Sequence, residues 1–268
     1  HPTRHQAMVA KRIIPCLDVK DGMVVKGINF QGLREVGDAV QMGAQYARDG
    51  ADELVYLDIS ATREGRRTFA GLVRRIAREI DIPFTVGGGI GSVEDAARLL
   101  DEGADKVSVN SAALARPDLI GQLAGKYGSQ FVVVAIDAKC VDGRWMCTTH
   151  GGSRLTDREL FGWAREAQER GAGEILFTSM DHDGTRAGYA CQVYARLNGL
   201  LSIPVIASGG AGSVQDIVDV LTLGRADAAL AASIFHYGQI PIPALKAALA
   251  AALVPVRTDF PGCDGGHH

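Results

Sequence analysis

The sequence predicts an α/β protein whose fold is a (β/α)8 TIM barrel built from two duplicated half-barrels. Residues 84–112 and 205–233 each read strand, glycine turn, Ser-Val-x-Asp, helix, Ala-Asp and strand. Residues 49–60 match 170–181 at the same separation of about 120 residues. The repeat favours a closed barrel over a doubly wound open sheet, which is the alternative architecture.

Eight strands are expected because eight short runs rich in Val, Ile, Leu and Ala alternate with amphipathic helical segments. Continuous apolar runs of this length are typical of parallel strands that are buried on both faces. The expected strands are residues 12–18, 53–59, 83–87, 106–110, 131–137, 174–179, 204–208 and 227–232.

Two of the intervening helices, expected at 92–103 and 213–224, begin with capping boxes. In each box a serine, Ser92 or Ser213, and the aspartate three residues later satisfy amide groups of the first helical turn. The two copies therefore share their helix starts as well as their strands.

Length and composition fit one domain, expected at residues 8–257, because no low-complexity linker interrupts the pattern. The segments 1–7 and 258–268 are expected to be tails, and the final His267-His268 is interpreted as a tag remnant. No apolar stretch approaches the roughly 18 residues that a membrane span needs, and the first residues lack a signal-peptide core. A cytoplasmic protein that does not contact membranes is expected.

Charge and cysteine usage exclude further classes. The net charge of −3 argues against a nucleic-acid surface. Five cysteines form an odd and scattered set without paired metal spacing, which indicates reduced thiols and predicts no metal site.

Asp18 and Asp137 are expected to end the first and fifth strands, at opposite points of the barrel mouth. Catalytic residues of such barrels lie at the C-terminal ends of strands, and a carboxylate on a buried strand is costly unless it is solvated or paired. The duplicated pair suits general acid–base work on a ligand held between them, although either residue alone could form a structural ion pair. Asp58 and Asp181, on strands two and six, are weaker candidates that could simply cap loops.

Two glycine turns supply a second indication. Glycine lets backbone N–H groups approach an anion closely, and the following helix start adds a favourable dipole. One such turn is commonly just a tight connection, but two symmetric turns suggest a ligand with a phosphate at each end. The turns and their partners are Gly87–Gly89 with Asn110-Ser111, and Ser208–Gly210 with Ala232-Ser233.

Alternating charges open four strands at the opposite end of the expected barrel. Arg12, Glu53, Lys106 and Glu174 are expected to lie around its floor. They could be a solvated rim, or a ring of mutually neutralising charges that lines an axial opening.

Motifs spread over about residues 9–257 closely resemble the cyclase subunit of imidazole glycerol phosphate synthase, a family of histidine biosynthesis. The motifs are RIIPCLDVKDG (12–22), VVKG (24–27), FTVGGGI (84–90), GADKVSVN (103–110), VVAIDAK (133–139), GAGEIL (171–176), MDHDGT (180–185), IASGGAG (206–212) and AASIFH (231–236).

The resemblance implies a bisphosphorylated small-molecule substrate, the aminoimidazole-carboxamide ribulotide PRFAR. With ammonia it would give imidazole glycerol phosphate and the purine precursor AICAR, without a cofactor. The resemblance also implies a separate glutaminase subunit as partner, which would deliver ammonia through the floor, because no glutaminase Cys-His site is visible in this sequence.

The same resemblance implies a set of site residues. Asp18 and Asp137 match the general acid–base pair. The positions around the reacting segment or its covering loop are Lys26, Asp58, Thr178 and Ser179, with Asp183 as a further substrate contact. The two phosphate sites are Gly89, Asn110 and Ser111, and Gly184, Gly210, Ala232 and Ser233. The ammonia gate is Arg12, Glu53, Lys106 and Glu174.

Two departures and two alternatives accompany this interpretation. Residues 153–157 lack the Thr-Gly expected after the strand-five hairpin, and Arg225 interrupts the repeated Gly-Ala-Asp, where only a local loop adjustment is expected.

The sister isomerase of the pathway is a similarly duplicated barrel, but its usual first-strand motif resembles Pro-Ala-Ile-Asp-Leu. A non-catalytic phosphate-binding barrel is the other alternative, since fold alone never establishes function.

Overall fold

A computed structural model describes residues 9–28, 31–60 and 62–259. Residues 1–8 and 260–268, which include most of the expected tails, Cys263 and the terminal histidine pair, lie outside the described residues. The described strands are β1 (Arg12–Lys20), β2 (Met23–Ile28), β3 (Gln31–Asp38), β4 (Leu54–Asp58), β5 (Phe84–Gly87), β6 (Lys106–Val109), β7 (Val132–Val141), β8 (Arg144–Thr149), β9 (Arg154–Glu159), β10 (Glu174–Ser179), β11 (Val205–Ser208) and β12 (Ala228–Ala231).

Eight of these strands form a closed parallel barrel, which confirms the predicted fold class. In order around the barrel they are β1, β4, β5, β6, β7, β10, β11 and β12, and β12 pairs with β1 to close the ring. The eight predicted strands are these eight, with ends that differ by a few residues.

Helices follow the barrel strands and cover the outside of the barrel. They are α1 (Ala39–Asp49), α2 (Arg63–Glu79), α3 (Val93–Asp101), α4 (Ser111–Ala115), α5 (Asp118–Tyr127), α6 (Leu160–Arg170), α7 (Cys191–Leu200), α8 (Val214–Thr222), α9 (Ser233–His236) and α10 (Ile242–Ala251). None of the helices in the described ranges is both long and apolar enough to cross a membrane.

The first strand of each half runs on into an antiparallel extension at the mouth. Strand β1 continues to Lys20 and pairs with β2, which pairs with β3. Strand β7 continues to Val141 and pairs with β8, which pairs with β9. The prediction that Asp18 and Asp137 end their strands is therefore wrong in detail, because the pairing with β2 and β8 carries both strands past the mouth. The atypical segment 153–157 lies largely in β9.

Both predicted capping boxes are present and nearly identical. The Ser92 hydroxyl accepts the Asp95 N–H at 3.1 Å, and the Asp95 carboxylate accepts the Gly91 N–H at 3.1 Å. Ser213 and Asp216 repeat this pattern at 3.2 and 2.9 Å, with Gly212 as the second donor. The carboxylates thus reach one residue further back than a capping box requires, and this tightens the turn before each helix.

Arg225 causes only a local adjustment, as expected. Its φ of +55° is in the left-handed region, where the first half has Gly103 at +116°. Beyond it, the Asp227 carboxylate accepts the Val205 N–H at 2.8 Å, as Asp105 accepts that of Phe84 at 2.8 Å. The turn at Arg225 therefore restores the register of the repeat.

Alternation along the strands divides the core into two layers. A large apolar cluster lies between the barrel and its helices, and a smaller one fills the barrel interior. The interior cluster comprises Ile14, Cys16, Val55, Val133, Leu176, Ile206, Ala228 and Leu230. Because successive strand residues face opposite sides, side chains two positions away from these also face the interior, at the floor or at the mouth.

Candidate active site

Asp18 and Asp137 lie on the interior face of opposite strands. Asp18 comes two residues after Cys16 on β1, and Asp137 comes four residues after Val133 on β7, and both preceding residues belong to the interior cluster. Strands β1 and β7 are four positions apart in the ring of eight. The two carboxylates therefore project into the mouth from opposite walls, as the repeat predicts.

Both carboxylates hold their protons more tightly than an exposed aspartate does. Burial raises the pKa of Asp18, an effect that the charge of Lys26 opposes and the charge of Asp183 reinforces. Burial also raises the pKa of Asp137, to about 6, against an opposing hydrogen bond from Asn110. Carboxyl groups with raised pKa values can exchange protons near neutral pH, which general acid–base catalysis requires.

Asp183 acts on both members of the pair. Its negative charge raises the pKa of Asp18 and also that of Asp137, so it lies within electrostatic reach of opposite walls. The turn after β10 holds it, because the Asp183 N–H donates to the Ser179 carbonyl at 2.9 Å. The sequence indicated a substrate contact at Asp183 but not its electrostatic effect on both carboxylates. The only sequence signal for that effect is the Asp-His-Asp run after the sixth barrel strand.

Lys26 lies on β2, the first strand of the antiparallel extension, where it pairs with Arg34 of β3. Its charge favours the ionised form of Asp18, which partly offsets burial. The structure therefore brings Lys26, predicted to lie around the reacting segment or its covering loop, within electrostatic reach of Asp18.

The two glycine turns require glycine for steric reasons. Gly88 has a φ of +89°, and a Cβ built there would lie 2.1 Å from the Asp58 carbonyl oxygen. Gly209 has a φ of +90°, and its Cβ would lie 2.9 Å from the Ser179 carbonyl oxygen. Each turn thus packs directly on the end of the neighbouring strand, in the same way in both halves.

The partner residues of the turns open two short helices at the mouth. Ser111 begins α4 and Ser233 begins α9, with Asn110 and Ala232 immediately before them. The first amides of a helix have no intrahelical acceptor, so these N–H groups are available to an anion. Gly89 follows β5 and Gly210 follows β11. Their φ values are +69° and +120°.

Asn110 contacts a mouth carboxylate, which its position in the sequence did not indicate. Its Nδ2 donates to Oδ2 of Asp137 at 3.1 Å. Its Oδ1 is buried and accepts no hydrogen bond from the described residues. A ligand N–H or O–H could satisfy that oxygen.

Four other predicted residues differ in orientation. Asp58 is buried and accepts hydrogen bonds from the backbone and hydroxyl of Ser60, and Asp181 accepts the Cys140 N–H at 2.8 Å, so both cap loops. Thr178 shares the interior face with Leu176, whereas Ser179 is fully buried on the other face and lies 2.5 Å from Nδ1 of His182.

Gly184, the remaining predicted phosphate residue, directly follows Asp183 at the mouth. It has a φ of +75°, and no atom lies within 4 Å of the position that a Cβ would occupy. The backbone there is open to a ligand.

At the floor, the four predicted charges form a closed ring of alternating ion pairs, which we call the floor ring. Three of them open strands and Glu53 lies one residue before β4. The N···O distances are 2.9 Å for Arg12–Glu53, 2.9 Å for Arg12–Glu174, 3.4 Å for Lys106–Glu53 and 2.5 Å for Lys106–Glu174.

Burial distinguishes this ring from a solvated rim. The four side chains are only 10–21% exposed. Burial on its own would raise the pKa of Glu174, but the charges of Arg12 and Lys106 outweigh it and lower that pKa. In the same way, Glu174 and Glu53 overcome the effect of burial and raise the pKa of Arg12. The ring is therefore a coupled, partly desolvated network.

Comparison with known proteins agrees with the fold. A family model described as histidine biosynthesis protein matches residues 12–241. Three relatives bear the name imidazole glycerol phosphate synthase subunit HisF and match over 250 residues, which is 93% of this chain and 100% of each relative. They come from Bacteroides fragilis (strain YCH46) at 59% identity, Flavobacterium johnsoniae at 59% and Cytophaga hutchinsonii at 57%.

The closed barrel, the opposed mouth carboxylates and the matching family model define a (β/α)8-barrel enzyme of histidine biosynthesis. Within that class, the chain belongs to the family of the cyclase subunit of imidazole glycerol phosphate synthase, subunit HisF.

Proposed function

We propose that the chain converts PRFAR and ammonia to imidazole glycerol phosphate and AICAR at the barrel mouth. The observation that carries the proposal is the opposed pair Asp18 and Asp137, both with pKa values raised by burial. The proposed substrate and products are those of the family, and the aspartate pair would carry out the proton transfers that the reaction needs.

Asp18 and Asp137 are proposed as the general acid–base pair. Closing the imidazole ring requires protons to leave the incoming nitrogen and protons to reach the departing oxygen and nitrogen atoms. Two carboxyl groups on opposite walls can serve both directions on one bound intermediate. Asp183 keeps their pKa values raised, and Lys26 favours a charged Asp18.

The two phosphates of the substrate are proposed to bind at the two glycine turns. Backbone N–H groups at Gly89 and at the start of α4 would hold one phosphate, with Asn110 and Ser111 as the residues of that helix start. The second phosphate would bind at Gly184, Gly210, Ala232 and Ser233. Of the remaining predicted contacts, Thr178 faces the interior. Asp58 and Ser179 face away from it, so we propose that they support the site and do not touch the substrate.

The floor ring is proposed as the ammonia gate. Its members Arg12, Glu53, Lys106 and Glu174 close the end of the barrel opposite the carboxylates. Between the ring and the mouth, the interior is lined by apolar side chains such as Ile14 and Leu176. Neutral ammonia can cross such a lining, whereas ammonium would pay a large desolvation penalty.

A glutaminase subunit is proposed as the partner that supplies this ammonia. The relatives are named as subunits of a synthase, and the floor is the surface from which ammonia would enter. We further propose that residues 8–257 form one domain and that the enzyme works in the cytoplasm without contacts to membranes or nucleic acid.

The direct test is to incubate the protein with PRFAR and an ammonium salt and to follow the loss of substrate absorbance. Formation of imidazole glycerol phosphate and AICAR in equal amounts is expected. In a parallel incubation with the aminoaldose that precedes PRFAR in the pathway, its conversion to PRFAR would instead identify the sister isomerase. Binding of PRFAR without any product would identify a non-catalytic barrel.

A further inference from the structure

An arginine that neither the motifs nor the family name indicates lies against the first glycine turn. A Cβ atom built on Gly89 would lie 3.9 Å from Nη2 and 4.0 Å from Nε of Arg66. The guanidinium thus lies at ordinary contact distance from the position that a side chain on Gly89 would occupy. Because Gly89 has no side chain, no side-chain atom of Gly89 lies between the guanidinium and a ligand bound at the turn.

Packing of the surrounding glycines places the backbone of Arg66 beside the first glycine turn. A Cβ on Gly65 would lie 2.5 Å from the Cβ of Ser60, so the start of α2 packs closely on the loop after β4. Gly88 packs on the backbone of Asp58 in turn. The end of β4, the first turn of α2 and the first glycine turn therefore form one unit, which carries the Arg66 side chain at the mouth.

Helix stability does not explain this arginine. Arg66 lies in the first turn of α2, whose N-cap is Thr62. The positive end of the helix dipole disfavours cations there and favours acids. Arg66 is exposed, and its charge acts on Asp58, where burial raises the pKa and the charge of Arg66 opposes that rise. Arg116, on the other side of the turn, differs because it donates to the Gly91 carbonyl.

We propose that Arg66 is a ligand of the phosphate that binds at the first glycine turn. This inference rests on the proposed function, since it assigns a further residue to one of its two phosphate sites. The backbone N–H groups of the turn carry no net charge, whereas a phosphate monoester carries about −1.5 to −2 at neutral pH. A guanidinium supplies the missing charge, and its planar donors match two phosphate oxygens.

A contact to a phosphate far from the reacting atoms has a defined kinetic signature. The phosphate does not change during the reaction, so Arg66 binds the ground state and the transition state equally. Loss of such a contact raises KM and leaves kcat nearly unchanged. A residue that served only as the counterion of Asp58, whose pKa burial raises and the charge of Arg66 lowers, would not produce this separation.

The experiment compares Arg66→Gln and Arg66→Lys with Arg67→Gln as matched control. Arg67 is an exposed neighbour in the same helical turn, and none of its atoms lies within 4 Å of the position that a Cβ on Gly89 would occupy. In the ammonia-dependent reaction, Arg66→Gln is expected to raise KM at least about tenfold, since a hydrogen bond to a charged group contributes enough for that. Arg66→Lys keeps the charge but not the planar donors, so an intermediate KM is expected. Arg67→Gln should match the wild type.

Titration with inorganic phosphate, followed by calorimetry, provides a measurement that does not depend on turnover. Arg66→Gln should weaken one class of phosphate site and leave the other unchanged. If the wild type fails to cyclise PRFAR while this loss of phosphate affinity is observed, the proposed function fails and the Arg66 assignment stands. An active wild type whose KM and phosphate affinity are unaffected by Arg66→Gln would overturn the assignment alone. So would a change confined to kcat and its pH dependence, which would make Arg66 a counterion.

Discussion

Asn110 and Asp137 are joined by a hydrogen bond of 3.1 Å from Nδ2 to Oδ2. Asn110 belongs to the first half-barrel and opens the helix beside the first glycine turn, whereas Asp137 belongs to the second half. The bond therefore crosses the junction between the halves, where β6 pairs with β7. Because it favours the ionised carboxylate, it opposes the effect of burial on the pKa of Asp137. A residue of the proposed phosphate site and a mouth carboxylate are thus directly linked.

Replacement of either opposed carboxylate should nearly abolish cyclisation. Asp18→Asn and Asp137→Asn are each expected to lower kcat with ammonium salt by about 10²–10⁴-fold, which is the usual contribution of a general acid–base group. Asp181→Asn is the control, because Asp181 is exposed and caps a loop by accepting the Cys140 N–H. Activity within a few-fold of wild type for Asp18→Asn and Asp137→Asn would refute the assignment.

The protonation of Asp137 should respond in opposite directions to its two polar neighbours. The wild-type carboxyl is expected to titrate near its pKa of about 6. Asp183→Asn removes a negative charge and should lower this pKa, whereas Asn110→Ala removes a donor to the carboxylate and should raise it. Carbon-13 NMR of labelled aspartate gives the midpoints directly. Midpoints that move in the same direction in both variants would contradict this account of the site.

The ionised Asp137 carboxylate should also lower the stability of the folded protein at high pH. Its folded pKa of about 6 exceeds the ordinary 3.8, so its contribution to stability is full below the unfolded value and is lost as the pH rises through 6. A difference of about two units corresponds to about 3 kcal/mol. Asp137→Asn should therefore unfold at a higher temperature than wild type at pH 8 and at nearly the same temperature at pH 4. Parallel curves at both pH values would show that the buried charge is not the cause.

Both glycine turns should bind inorganic anions. Crystals grown in high phosphate or sulfate are expected to hold one anion at Gly89 with Ser111 and one at Gly210 with Ser233, related by the internal two-fold axis. The physical reason is the convergence of backbone N–H donors at helix starts. Two well-ordered but empty turns, together with no competition between phosphate and PRFAR, would count against two phosphate sites.

The floor ring should separate two activities that share the same chemistry. Lys106→Ala removes two of the four ion pairs, but ammonium salt supplied from solution enters at the mouth and its use should persist. Ammonia produced by a bound glutaminase must cross the floor, so less product should form per glutamine hydrolysed. Unchanged stoichiometry and rates in both assays would return the ring to a purely structural role.

Much of the fold could be predicted because its signals are local. The eight apolar runs, the serine caps at Ser92 and Ser213 and the repeat at about 120 residues are properties of short windows. Comparison of the two halves then placed Asp18 opposite Asp137, since residues at equivalent positions of duplicated half-barrels must lie on opposite walls. Strand ends were less certain, because pairing with β2 and β8 extends β1 and β7 beyond the points where their apolar pattern stops.

The sequence by itself thus determined the barrel, its duplication, the opposed carboxylates, the glycine turns and the composition of the floor ring. Only the tertiary structure decided that Asn110 bonds to Asp137, that Asp183 acts on both carboxylates and that Arg66 lies beside Gly89. It also turned Asp58 and Ser179 away from the interior. The physical reason is that these relations join residues on different loops, whose approach depends on how the barrel closes and how the glycines pack. Periodicity along a chain carries no information about those distances.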